Sequence, residues 1–379
     1  MKFAVVGAGV IGDLHARTIT GLPGAEVAVV VDTQLERAQD LARRYQARPL
    51  SELSAALALP DIDAVAICTP SGNHADLVVA ALGAGKHVVV EKPLDVCLEA
   101  AARVAAAERD SDRAVTVISQ HRFDPASAVV AQALSRGRFG TVTSGSASIS
   151  WWRSQAYYDS APWRGTWAMD GGGVLMNQGI HTIDLLVWFL GKPVEVFAWT
   201  GLLAHERIEV EDTAVATIRF AGGALGVING TTCAYPGLNA RVQIHGDRGS
   251  AIIDDDTLVY FHAADDSDVV PDLGAGSPGN QAEAVSAEVP SAGPRTAGLE
   301  PTSHTAQYED FLTSVAGSHP PLVTVAEATR TLAVIRAIYE SADAGRPVTV
   351  ADVDLPDVQR GVDLRQSRRG LREDGSDLR

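Results

Sequence analysis

Three groups of residues carry chemistry by their types and spacing. The first is Gly7-Ala8-Gly9-Val10-Ile11-Gly12. Glycines so spaced allow a tight turn, a close approach of backbone to a pyrophosphate, and close packing of the next helix on the preceding strand. The N-terminus of that helix adds free N–H groups and partial positive charge. A glycine turn needed only for packing reads the same way, so the context decides. The apolar run Phe3 to Val6 comes just before, a helical stretch starts at Asp13, and Asp32 closes the next apolar run 20 residues past Gly12. A carboxylate there accepts hydrogen bonds from an adenosine ribose and repels the 2′-phosphate of NADP. The expected cofactor is NAD, with NADP less favoured; Arg17 and Arg37 are the side chains that would pair with a 2′-phosphate.

The second group is Glu91-Lys92-Pro93, at the end of the apolar run His87 to Val90. Ligands of open α/β sheets gather at the carboxyl ends of the strands, so Lys92 is delivered to that crevice. A partly buried lysine there hydrogen-bonds a substrate hydroxyl and relays a proton; otherwise it is a surface lysine before a helix-starting proline. The Lys92–Pro93 bond is a candidate cis peptide. Thr69-Pro70 and Asn73-His74 end the preceding run similarly and are expected at the cofactor's ribose or phosphates.

The third group runs from Gly171-Gly172-Gly173 through Asn177 and His181 to Asp184, on a helix that stops at Gly191-Lys192-Pro193. Spacings of i, i+4 and i+7 predict one polar face among apolar neighbours, and such a stripe faces water or a site. The three glycines are expected to let a ligand approach the backbone. Ahead of them, residues 151–167 hold four of the six tryptophans and two of the seven tyrosines, interleaved with Arg153 and Arg164. That density suits the apolar faces and polar edges of a sugar or cyclitol, or an apolar edge covering a domain junction.

Elements must hold these residues in place. Up to about residue 120, apolar runs (Phe3 to Val6, Val27 to Val31, Ala64 to Cys68, His87 to Val90, Val115 to Ser119) alternate with helical stretches, which predicts a doubly wound α/β unit with a parallel sheet. Longer strand-like runs follow between Thr141 and His245 with few helices, predicting a largely antiparallel second sheet. Residues 263–302 lack apolar periodicity and are expected to be a flexible insertion. Helices are expected at Thr305 to Ala316 and Val325 to Ala344, and the charged tail 351–379 is expected to fray.

The length, 379 residues, is that of about two domains. With 47 acidic against 31 basic residues, the net charge of −16 disfavours nucleic acid and anionic membrane surfaces as partners. No window approaches about 18 apolar residues, so no membrane span is expected. Cys68, Cys97 and Cys233 form no C-x-x-C, so neither a disulfide framework nor a zinc site is indicated and no metal is expected. A reducing cytoplasm fits, and the start MKFAVVGAGVIG reads as a buried strand rather than a signal peptide.

On the glycine fingerprint, Glu91-Lys92-Pro93 and the Gly-Gly to His181 to Asp184 helix, in that order, the chain resembles the Gfo/Idh/MocA oxidoreductase family. The resemblance implies an NAD(P)-binding Rossmann domain at 1–121 and a substrate-binding and oligomerisation α/β domain at 122–350 with a large, mostly antiparallel open-faced sheet. It also implies a homodimer or homotetramer formed through that sheet, and redox chemistry on sugars, cyclitols or their derivatives. By carry-over, Lys92 and His181 match the catalytic pair. Asn177, Arg122, Tyr157, Trp163 and Arg164 are the candidate substrate contacts. Gly7, Gly9, Val10, Ile11, Gly12, Asp32, Thr69, Asn73, His74, Glu91, Lys92 and Gln120 are the candidate cofactor contacts. Many members carry aspartate where this chain has Asn177, which removes a carboxylate from that position. His181 is then the expected base and Lys92 the group that stabilises the alkoxide, with Asp184 or a main-chain carbonyl fixing the imidazole tautomer. An NAD-using glycosidase and a non-catalytic dinucleotide sensor share the same features.

Overall fold

Valine-rich runs with no polar side to expose form a sheet covered on both faces. They are Lys2–Val6 (β1), Glu26–Val31 (β2), Ala64–Ile67 (β4), His87–Val90 (β5) and Val115–Val117 (β6), with the short, partly exposed edge strand Arg48–Leu50 (β3) added beside β2. All pair in parallel, in the order β3-β2-β1-β4-β5-β6. Chain order reverses between β1 and β4, which opens a crevice at their carboxyl ends. The glycine turn leaves β1 there, Thr69 follows β4 and Lys92 follows β5. The computed structural model describes residues 1–264, 279–287, 302–317 and 319–352.

The second sheet has eight strands: Val142–Ser150 (β7), Pro193–Gly201 (β8), Thr213–Phe220 (β9), Leu225–Thr231 (β10), Ala240–Gly246 (β11), Gly249–Asp254 (β12), Thr257–Ala263 (β13) and Val348–Thr349 (β14). Their order is β13-β12-β11-β7-β10-β9-β8-β14, and only β7 and β10 run parallel. Period-two patterning sends Ala214, Ala216, Ile218 and Ile228 inward, under helices Ile180–Leu190 and Val325–Ala344. The other face is left open among the described residues, with Trp199 63% exposed and Val215, Leu225 and Val227 beside it. Helix Val325–Ala344 starts as its sequence predicts, Thr324 accepting from the Glu327 N–H, and ends on Gly345 at φ 62°.

The fold corrects several sequence expectations. The hairpin β12–β13 carries no glycine or asparagine at its turn; Asp255 and Asp256 take the two left-handed positions at φ 47° and 62°, so the usual signal was missing. Helix Pro125–Ser135 was also not foreseen. Within the expected insertion, residues 279–287 are ordered against β13. Helix Ala282–Ala287 forms there, Gln281 N donates to Phe261 O at 2.7 Å, and Asn280 Oδ1 accepts from Phe261 N at 3.1 Å. Polar side chains that satisfy a strand edge hold this segment, and apolar periodicity does not report them. The rest of the insertion, 265–278 and 288–301, and the tail from 353 lie outside the described residues. Helix Thr302–Val315 packs on the first sheet, with Tyr308 and Phe311 against Phe3 at ring distances of 5.8 and 6.4 Å. Late chain thus completes the early core.

Arg122 is a further correction. As a candidate substrate contact it was expected in the crevice, but only 1% of it is exposed. Its Nε and Nη2 donate to Asp184 Oδ2 and Oδ1, each at 2.7 Å, and its Nη1 donates to Glu327 at 3.0 Å. Asp184 also accepts from Ser119 Oγ and Thr331 Oγ1. That carboxylate is therefore fully occupied and does not orient His181. A polar residue on a helix face answers to water, to a site or to a buried partner, and spacing cannot say which. Removing one partner of such a pair strands the other charge. Arg122→Ala should lower the denaturation midpoint through a loss of about 3–5 kcal/mol. A midpoint near that of the parent in urea unfolding would contradict the structural role.

Candidate active site

The glycine turn is shaped by its neighbours and by an absence. A Cβ on Gly12 would sit 1.9 Å from Gly7 O, so close strand-to-helix packing forbids a side chain there. A Cβ on Gly9 would meet nothing within 4 Å, which leaves open space at the start of helix Val10–Thr20. No side chain caps that helix, and Val10 is exposed beside the glycine turn. Asp32 lies at the turn, accepting from Ala8 N at 2.9 Å and Gln34 N at 2.8 Å. Thr69 Oγ1 and Gln120 Oε1 are buried with no hydrogen-bond partner, as groups that await a ligand are. Uncapped N–H groups, open space, a ribose-type carboxylate and orphaned polar atoms together fit a dinucleotide. Asn73 is exposed at the start of helix His74–Gly83. His74 departs from expectation. Buried, with Nδ1 2.7 Å from Pro93 O and Nε2 2.9 Å from Thr69 O, it cross-links two strand ends and offers no ring nitrogen to a cofactor.

Lys92 enters the crevice from β5 through a cis Lys92–Pro93 bond, as expected. Glu91, beside it, turns inward. Its Oε1 lies 3.0 Å from His15 Nε2, whose Nδ1 is 2.7 Å from Tyr308 Oη, and Oε2 accepts the Lys92 N–H at 3.1 Å. Burial pushes the Glu91 carboxyl up, but His15 and His304 outweigh it and hold the group well below the usual range. The residue thus joins the glycine-turn helix, β5 and helix Thr302–Val315, and its carboxylate is committed to that network.

Asn177 and His181 are separated by a break in helical geometry. Residues Val174–Gln178 form one π-turn before helix Ile180–Leu190, with Gly179 N donating to Val174 O. The turn is anchored by Glu211, whose carboxylate accepts from Gly173 N at 2.9 Å, Leu175 N at 3.0 Å and Tyr339 Oη at 2.9 Å. A Cβ on Gly173 would lie 1.6 Å from Glu211 O, so this glycine makes room for protein and not for a ligand. Asn177 O accepts from Lys92 Nζ at 3.0 Å, and Asn177 Nδ2 donates to Asp170 Oδ1 at 2.6 Å. The carboxylate missing at 177 is thus supplied next to it by Asp170.

The electrostatics of this group follow from burial. Lys92 is pushed below its ordinary value by burial, helped by the Arg164 and Arg153 charges and opposed by Glu91 and Asp170. His181 is driven well below its ordinary value by burial, then by the charges of Lys92 and His121. Burial raises Asp170. The His121 ring meets His181 edge to face at 5.0 Å. Its Nδ1 lies 2.7 Å from Asp124 and 3.0 Å from Asp256 at the β12–β13 turn, and these carboxylates overcome burial to push His121 up to about 10. A cavity beside His181 is lined by His121, Gln178, Trp151, Asp255 and Asp256.

Opposite Lys92 stands the aromatic group. Arg164 packs over Tyr157 and Trp163 at 4.3 and 4.6 Å and donates to Tyr157 Oη at 2.6 Å, to which Gln178 Nε2 also donates. Lys92, Asn177, His181, Tyr157, Trp163 and Arg164 are therefore brought together, and Arg122 and Asp184 are not. Sequence reasoning missed Asp170, His121, Gln178 and Asp256. Gln178 lies within the third group but has no distinguishing spacing, Asp170 stands just before it, and His121 and Asp256 lie in no motif.

Residues 1–119 match the family model described as "Oxidoreductase family, NAD-binding Rossmann fold", and 128–252 the one described as "GFO/IDH/MocA C-terminal domain". Inositol 2-dehydrogenase of Rhizobium meliloti is 30% identical over 270 residues, covering 70% of this chain and 78% of that protein. The chain belongs to the Gfo/Idh/MocA oxidoreductase family. As such it is an oxidoreductase with an NAD-binding Rossmann domain. Levoglucosan dehydrogenase of Pseudarthrobacter phenanthrenivorans is 27% identical over 306 residues, 71% of this chain and 78% of that one. Among solved Gfo/Idh/MocA-type structures, the WlbA dehydrogenase from Bordetella pertussis, in complex with NADH and UDP-GlcNAcA, matches with TM-score 0.82 at 32% identity. The match covers 93% of this chain and 98% of that one.

The place of Asp32 at the glycine turn sets a test of cofactor preference in this Gfo/Idh/MocA protein. Asp32→Ser should reduce the ratio of kcat/KM with NAD to that with NADP by roughly tenfold or more, since a like-charge contact is removed. Equal use of NADP by the parent protein would remove the assigned role of Asp32.

Proposed function

We propose that this protein oxidises a ring secondary hydroxyl of a sugar, sugar derivative or cyclitol, with NAD as the hydride acceptor. The observation that carries this is the convergence of Lys92, held by the Asn177 carbonyl at 3.0 Å, with a depressed His181 at the carboxyl ends of the first sheet. Relatives named as inositol and levoglucosan dehydrogenases point the same way. NAD, when bound, supplies the oxidising nicotinamide ring. The chain supplies placement and proton chemistry. His181, held towards its neutral form by burial and by the charges of Lys92 and His121, accepts the hydroxyl proton. Lys92, in its charged form, donates to the substrate oxygen and stabilises the alkoxide as it forms. Asp170 fixes Asn177, whose carbonyl aims the ammonium group. Trp163, covered by Arg164 at 4.6 Å, borders the site with its ring, and Tyr157 holds the Arg164 guanidinium in place through its ring and its Oη.

We further assign a homodimer or homotetramer formed through the open face of the second sheet, where Trp199, Val227 and their neighbours leave an apolar patch uncovered. Three free cysteines fit a reducing cytoplasm.

The pH profile separates the two catalytic roles. A base must be unprotonated, so kcat/KM should hold down to below pH 6.5 and fall only as His181 protonates. An acid must be protonated, so the alkaline fall should begin below 10.5, where Lys92 loses its proton. His181→Ala should lose roughly 100-fold or more in kcat/KM together with the acid limb. Lys92→Met should also cripple turnover while leaving NAD binding nearly intact. Near-normal activity of His181→Ala with an unchanged pH profile would sink the assignment. For the assembly, light scattering should show the parent as a dimer or tetramer and Trp199→Glu/Val227→Glu as a smaller species; a monomeric parent would overturn it.

A further inference from the structure

The crevice holds more positive charge than the hydride-transfer chemistry uses. Arg153 leaves the end of β7, where its N–H donates to Thr232 O and its carbonyl lies 2.9 Å from His205 Nε2, so the second domain fixes its backbone. Its guanidinium packs over Trp151 at 5.2 Å and over Tyr157 at 5.1 Å, the ring that Arg164 also covers. The Nε atoms of Arg153 and of Arg164 are both buried and have no hydrogen-bond partner. Neither guanidinium meets a carboxylate among the described residues, whereas Arg103, Arg122, Arg207, Arg219 and Arg241 do.

The nearby acids are already engaged. Asp170 is taken up by Gly165 N at 2.8 Å and Asn177 Nδ2 at 2.6 Å, and Glu91 is committed to His15. Unpaired guanidinium charge behind a wall of aromatic rings is costly to desolvate. In a chain of net charge −16, acidic residues were abundant, yet among the described residues none forms an ion pair with either guanidinium. Arginine held flat by rings and still offering free N–H groups suits an oxyanion that accepts two parallel hydrogen bonds, a carboxylate or a phosphate. The pyrophosphate of a dinucleotide is served by the glycine turn of the other domain, so it does not account for Arg153.

We propose that Arg153, with Arg164 and Lys92 beside it, forms an anion subsite, so that the hydroxyl oxidised belongs to a sugar or cyclitol bearing a carboxylate or phosphate. This rests on the dehydrogenase reading above and narrows its substrate class. Both guanidinium charges reach Lys92 and add to its depression by burial; an anion bound among them would oppose that and favour the charged form that stabilises an alkoxide.

The test uses full-length protein with NAD and matched substrates: D-glucuronate and D-glucose 6-phosphate against D-glucose, D-galacturonate against D-galactose, and myo-inositol. The parent should show at least a tenfold higher kcat/KM for an anionic member than for its neutral counterpart, and added salt should erode that preference. Arg153→Gln should bring the ratio towards one, and Arg153→Lys should keep part of it. The uronate and phosphate arms tell the two anions apart. Neutral sugars used as well as anionic ones, or a ratio unchanged in Arg153→Gln, would overturn the subsite and leave the dehydrogenase standing. If no sugar yields NADH, it is the dehydrogenase reading that fails. The subsite is then decided by calorimetric titration of the NAD-bound protein with D-glucuronate and with inorganic phosphate: saturable binding weakened tenfold in Arg153→Gln supports it, and no binding by the parent refutes it. Should Arg153→Gln not fold, the Arg153→Lys ratio and the salt dependence of the parent carry the same decision.

Discussion

Arg122 is a long cation with almost no access to water, and its three hydrogen-bonded carboxylate oxygens come from two different helices. It stands just after β6, in the segment that leaves the first sheet, and grips Asp184 on the helix that carries His181 and Glu327 on the long helix under the second sheet. A buried ion pair is weak as a source of stability, because desolvation offsets much of the attraction. It is strong as a constraint, since neither charge can leave without stranding the other. This contact ties the helix that carries His181 to the segment leaving the first sheet.

Within that frame the active-site charges are tuned mainly by removal from water. Burial pushes Lys92 and His181 down and Asp170 up, each towards its neutral form. Neighbouring charges then separate the roles. His181 has no hydrogen-bonded carboxylate among the described residues and feels the charges of Lys92 and His121, which favour its neutral form. His121, one ring away, is clamped by Asp124 and Asp256 and keeps its proton. Two imidazoles 5.0 Å apart are thus held in opposite states by where the carboxylates fall.

Close backbone approach recurs in two places with different ends. Gly12 brings a helix against β1, and the open space over Gly9 is where a dinucleotide's phosphates fit. Gly173 also permits a close approach, but its neighbour is Glu211, which takes the free N–H groups of the π-turn. The same residue type therefore marks a ligand cradle in one motif and a packing contact in the other.

What the sequence by itself determined was local and periodic: the parallel sheet from its valine runs, the glycine turn with Asp32 at the end of β2, Lys92 at the end of β5, and the polar positions Asn177 and His181. Each is a matter of short spacing, which strand and helix geometry turns directly into position. Tertiary structure alone decided where polar side chains found partners. It sent Asp184 to Arg122 and brought Asp170 to Asn177. It carried Asp256 on an unsignalled hairpin to His121, returned helix Thr302–Val315 to the first sheet, and left Arg153 without a carboxylate among the described residues. Apart from Asp170 and Asn177, seven positions apart, such partnerships link residues tens to hundreds of positions apart, and no periodicity encodes them. They are set when two sheets close on one another and every buried charge must find, or lack, a counterpart.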